Sequence, residues 1–250
     1  MLNVIRILVI ATLVFVSLST TRLLPIAHGQ GENMDYLPFS KSRLHPFKLK
    51  RIEMRDDLRS GRVINVAGVQ IQEEKAAGVD DPNGESIHRI VFSGRNRDGK
   101  PWRVSATASN YYDTLYAGDL DRNGLSDLIL TMGTGGNGLA PSTRLIFVTF
   151  DRRGDATLFE ATGYYQAGPD GILDVGDLDR DGRAELVHMV FDEGYWITNI
   201  YRIRESRWSL VKGRFANLNF PLYTRFTLRP NHKPVQPGRG RRPFAPNLLK

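Results

Sequence analysis

The sequence predicts an all-β protein built from repeated antiparallel strand units, and three observations carry that reading. The run Gly118-Asp119-Leu120-Asp121-Arg122-Asn123-Gly124-Leu125-Ser126-Asp127-Leu128 returns 58 residues later as Gly176-Asp177-Leu178-Asp179-Arg180-Asp181-Gly182-Arg183-Ala184-Glu185-Leu186. A repeat at that period marks a stacked or radial architecture. Each copy feeds a short apolar stretch rich in branched residues, Leu128-Ile129-Leu130-Thr131-Met132 or Leu186-Val187-His188-Met189-Val190, which has the length and composition of a strand. A strand, turn, strand pattern recurs beside both.

At the N-terminus Arg6 precedes the apolar run Ile7 to Val16, and Ala27-His28-Gly29 resembles a small-residue cleavage site. Residues 1–29 are therefore expected to be a secretory signal peptide. An earlier cut near Ser19 and an uncleaved anchor are the alternatives, although the run falls short of the roughly 20 residues a span prefers. Residues 30–61 are polar and mixed in charge, with Pro38 and Pro46, and are expected to be a leader segment. From Arg62 the pattern turns to strand. Val63 to Ile71, Ile87 to Phe92 and Trp102 to Thr107 are separated by turn-rich Asp80-Asp81-Pro82-Asn83-Gly84 and Asn96-Arg97-Asp98-Gly99. The pattern repeats in Arg144 to Phe150, Asp151-Arg152-Arg153-Gly154 and Ala156 to Thr162, and again in Tyr195 to Tyr201, Arg204-Glu205-Ser206 and Trp208 to Val211. Residues 62–215 are thus expected to form a repeat domain of three units, about 62–107, 114–162 and 172–213. Residues 216–250 form a basic tail in which 222–228 could add one strand.

Within each repeated loop, oxygen-bearing side chains fall at positions 1, 3, 5 and 9. They are Asp119, Asp121, Asn123 and Asp127, then Asp177, Asp179, Asp181 and Glu185. This is Ca²⁺ spacing. A hard cation takes six to eight oxygens at about 2.3–2.6 Å, with a main-chain carbonyl at position 7, here Leu125 or Arg183. Gly124 and Gly182 at position 6 suit the sharp turn, since glycine takes positive φ without steric cost. An EF-hand would need Glu at position 12 and flanking helices; position 12 is Leu130 or His188, inside the strand-like stretch.

A calcium loop that feeds a strand and recurs at this period resembles the FG-GAP/VCBS repeats of integrin-like β-propellers. The resemblance covers roughly residues 106–213 and departs from the pattern at Asn123 and Glu185. It implies propeller-like antiparallel blades, two Ca²⁺ sites on the loop residues named above, and a secreted, periplasmic or cell-surface module that acts in binding, adhesion or scaffolding. Three units are fewer than the four to eight blades of closed propellers. Either residues 216–228 and the leader supply a partial fourth blade, or another protein chain completes an open edge.

Charge is unevenly placed. The chain carries 34 Lys/Arg and 27 Asp/Glu, for a net +7. Residues 216–250 hold seven of the basic residues and no acid, and 1–29 hold two, which leaves residues 30–215 near −2. The tail, rich in Pro and Arg, cannot bury enough apolar surface to fold alone. It could dock on an anionic surface or acidic polysaccharide, or serve only as a solvated tail that aids solubility. Specific nucleic-acid recognition is not expected, because the expected signal takes the chain out of the cytoplasm.

Catalytic equipment is sparse. The chain has no cysteine, which excludes disulfides and thiol chemistry. Neither G-x-S-x-G nor H-E-x-x-H occurs. Gly133-Thr134-Gly135-Gly136-Asn137-Gly138 fits G-x-G-x-x-G but leads into Leu139-Ala140-Pro141, not into a helix that could receive a pyrophosphate. His188 reads as a packed histidine, and the recurring Tyr111, Tyr112, Tyr164, Tyr165, Tyr195 and Trp196 read as core and inter-strand packing, with an aromatic carbohydrate platform as the alternative. The chain is expected not to be an enzyme. The competing expectation is a calcium-dependent enzyme acting on polysaccharide or phosphoester.

Overall fold

The computed structural model describes residues 47–54, 58, 61–80, 86–108, 111–135, 143–165, 167–168, 171–225 and 233–238. The expected signal peptide, residues 30–46 of the expected leader, and the tail beyond 238 lie outside these residues. Among the described residues the protein is all-β, with antiparallel sheets and no helix. None of the sheets closes into a barrel.

Strand β1 (Lys50–Glu53) comes first, from the stretch expected as leader. Strands β2 (Ile64–Val66), β3 (Val69–Asp80), β4 (Ser86–Arg95) and β5 (Pro101–Thr107) form the first sheet in chain order. Strands β6 (Tyr111–Gly118), β7 (Asp127–Gly133), β8 (Thr143–Phe150) and β9 (Ala156–Gly163) form the second, with β1 added at the β6 edge. A small hairpin, β10 (Ala167–Gly168) and β11 (Gly171–Ile172), leads to the third sheet of β12 (Val175–Gly176), β13 (Glu185–Asp192), β14 (Tyr195–Arg204) and β15 (Arg207–Leu210). Hairpin β16 (Gly213–Phe215) and β17 (Leu218–Phe220) follows, and β18 (Leu222–Arg225) pairs with the first half of β14.

Several hairpins turn through two residues of positive φ: Ala67-Gly68, Glu193-Gly194, Glu205-Ser206 and Ala216-Asn217. Such turns match the right-handed twist of the flanking strands.

The second sheet lies between the other two, which explains its unbroken apolar runs: a strand buried on both faces has no solvent side to mark by alternation. Leu128, Leu130, Met132, Ile146, Val148 and Phe150 pack with Ile71, Ile90 and Phe92 of the first sheet. Their neighbours Ile129, Leu145 and Phe147 point the other way and pack with Leu186, Tyr201 and Ile203 of the third sheet. The far face of the third sheet, Val187 and Ile200, is covered by Phe215, Phe220 and Leu222. Sheets two and three approach so closely at Gly163 that an added Cβ would lie 2.9 Å from the Met189 carbonyl.

Candidate metal centre

The two repeated loops occupy matching places in consecutive sheets. One joins β6 to β7 and the other joins β12 to β13, so that Asp127 and Glu185 are the first residues of their strands. Their backbones match as well. The fourth residue is left-handed in both, Arg122 at φ 62° and Arg180 at φ 65°, and the sixth is Gly124 at 86° or Gly182 at 81°. The sequence placed the glycines at these turns; the left-handed arginines carry no comparable signal.

In the first loop every carboxylate is oriented by main-chain amides. Asp119 accepts from Asn123 N (3.1 Å) and Gly124 N (2.9 Å), and Asn123 Oδ1 accepts from Leu125 N at 2.7 Å. Asp121 Oδ1 accepts from Asn123 N, while its Oδ2 accepts the Ser206 amide at 2.8 Å, across 85 residues of chain. Asp127 is fully buried and accepts from Leu120 N and Phe150 N, both at 2.9 Å. Asn123 Nδ2 donates to the Phe150 carbonyl. The loop is thereby tied to the end of β8 at Phe150 and to the β14–β15 turn, whose Ser206 carbonyl accepts from Thr149 Oγ1.

Oxygens of Asp119, Asp121 and Asp127 lie within 4.8 Å of one another, and so do those of Asp177, Asp179 and Glu185. Each group could hold a metal ion. The first group suits one well. Burial drives the Asp127 pKa up to about 8, against the Phe150 and Leu120 amides, and the charges of Asp121 and Asp119 push it further the same way. No cationic side chain bonds these three carboxylates among the described residues, and an amide-bonded carboxylate oxygen keeps a lone pair for a hard cation.

The second loop repeats the scaffold with different charges. Asp177 Oδ2 accepts from Gly182 N, Asp179 Oδ1 from Asp181 N, and Glu185 Oε2 from Leu178 N. Asp181 turns to the Arg183 amide and guanidinium and is not among the three convergent carboxylates. Arg202 on β14 sits opposite Glu185 in register. Its Nε bonds Glu185 Oε1 at 3.0 Å and its Nη2 bonds Asp179 Oδ2. Burial raises the Glu185 pKa to about 7 against the Leu178 amide and Arg202.

The loops also touch each other. Arg122 donates to the Asp181 carbonyl at 3.2 Å, and its side chain would collide with any Cβ at position 182. Gly182 is thus required for both its turn and this close approach. Leu125 packs its side chain on the core between the first two sheets.

The other candidates sort plainly. His188 is buried, its Nε2 lies 2.9 Å from the Thr162 carbonyl, and burial lowers its pKa to about 4. Tyr112, Tyr164, Tyr165, Tyr195 and Trp196 are buried; the side chain of Tyr111 lies outside the description. Gly136 to Gly138 also fall outside the described residues. No family model, curated protein or solved structure matches the chain.

Proposed function

We propose that this chain is a calcium-stabilised, non-enzymatic binding or scaffold module of the FG-GAP/VCBS type, its three sheets serving as propeller-like blades in an extracytoplasmic setting. The observation that carries the reading is the convergence of Asp119, Asp121 and Asp127 in a tight glycine loop whose amides already orient each carboxylate. All-oxygen donors favour Ca²⁺ over the softer metals, and Mg²⁺ would demand stricter octahedral geometry.

A calcium ion there would tighten the link between sheets, because Asp121 and Asp127 also hold Ser206 and Phe150. The test compares two carboxylates. Asp121→Ala should abolish most of the melting shift that millimolar Ca²⁺ gives the chelated protein. Asp151→Ala, which removes the acceptor for Arg153 N and Asp155 N in the β8–β9 turn, should leave the shift intact. Equal shifts in wild type and Asp121→Ala would refute the proposal.

A further inference from the structure

The two loops share backbone and ligand spacing, yet a side chain absent from the first bridges the carboxylates of the second. We infer that Arg202 is the resident cation of the second loop, so that the chain binds a single Ca²⁺, at Asp119, Asp121 and Asp127, and holds the second loop closed without one. The inference rests on the calcium reading above and narrows it.

Three features support it. Arg202 bonds Asp179 and Glu185, two of the three carboxylates that converge there, so an ion entering that centre must displace it or share the site with a second positive charge. The guanidinium is also fixed from behind, with Cζ 5.0 Å from the centre of the Phe215 ring. A side chain stacked and doubly bonded in this way has already lost its rotamer freedom, which favours its staying over an incoming solvated ion. Asp181, the loop-position-5 ligand, accepts the Arg183 amide as Asn123 accepts that of Leu125, but its second oxygen also meets the Arg183 guanidinium at 3.4 Å.

The corresponding place in the first loop is held by an uncharged side chain. The β7–β8 register ends at Leu128 opposite Val148, and one step further sets Asp127 opposite Thr149. The short Thr149 hydroxyl donates to the Ser206 carbonyl. One exchange at matched register, threonine for arginine, thus separates a loop open to a cation from one that already holds a guanidinium. The arrangement lets the third sheet keep its loop ordered at low calcium while the junction around Ser206 and Phe150 responds to the ion.

The test is stoichiometry, by equilibrium dialysis of the full chain against Ca²⁺. Wild type should bind one ion, and Asp177→Asn should leave that number unchanged. Arg202→Met, which keeps an apolar stem over Phe215, should bind two. Should that variant not fold, hydrogen exchange on wild type decides the matter. Removing Ca²⁺ should speed exchange of the Leu120, Gly124, Phe150 and Ser206 amides at least tenfold and leave those of Leu178 and Gly182 unchanged. Two ions bound by wild type, or loss of an ion in Asp177→Asn, would overturn the inference and leave the calcium reading standing. No ion bound at all would remove both.

Discussion

Replacing Asp127 by asparagine should invert its effect on stability between acid and alkaline pH. Burial holds the folded-state pKa of Asp127 near 8, against 3.8 for the free group. Folding therefore favours the neutral acid, and the metal-free protein loses stability as pH rises from about 4 to about 8. At about 1.4 kcal/mol per pKa unit the loss approaches 5 kcal/mol at pH 8. Asparagine does not ionise, but only its Oδ1 can accept, so one of the Leu120 and Phe150 amides loses its partner, and one buried donor left unpaired costs about 1–3 kcal/mol. In chelator, Asp127→Asn should be less stable than wild type by about that amount near pH 4 and more stable by about 2–4 kcal/mol near pH 8. Urea denaturation of the two proteins across this range reads the difference, in which other titrating groups cancel. Saturating Ca²⁺ should restore the advantage of wild type at pH 8. Stability curves that stay parallel from pH 4 to pH 8 in chelator would refute the electrostatic account of this loop.

Two further outcomes test the packing. Burial holds His188 neutral with a pKa near 4 against 6.5 free, so its contribution is present above about pH 6.5 and is lost as pH falls toward 4, about 3 kcal/mol in all; His188→Gln should flatten that part of the denaturation profile. Gly163→Ala drives a methyl group to within 2.9 Å of the Met189 carbonyl, and its melting curve should show a loss of about 1–3 kcal/mol at the junction of sheets two and three.

Much of the sheet pattern was legible because strand, turn, strand segments recur with the metal loops, but the second and third sheets also take in β1 and β18 from outside the three expected units. Strand β18 falls inside the stretch 222–228 that the sequence offered as an extra strand. Strand β1 was not legible: in Lys50-Arg51-Ile52-Glu53 only Ile52 is apolar, and the segment is a strand because it pairs along the β6 edge. The β16–β17 hairpin was missed because its turn uses Ala216 at φ 46° beside Asn217, where glycine would have signalled the reversal.

At the loops, alternating oxygens and a glycine are local features, so Asp119, Asp121 and Asp127 could be read directly. Arg202, Ser206 and Phe150 could not, since they reach the loops through pairing and packing between strands. The one usable signal for Arg202 lay in the tight Glu193-Gly194 turn, which fixes the register that brings position 202 opposite Glu185.

Anomalous diffraction from crystals grown in saturating Ca²⁺ shows whether the Asp119, Asp121 and Asp127 loop holds calcium. One peak is expected about 2.3–2.6 Å from oxygens of those three residues, with none between Arg202 and Glu185. Crystals with the first loop ordered and no peak beside Asp121 would contradict the account.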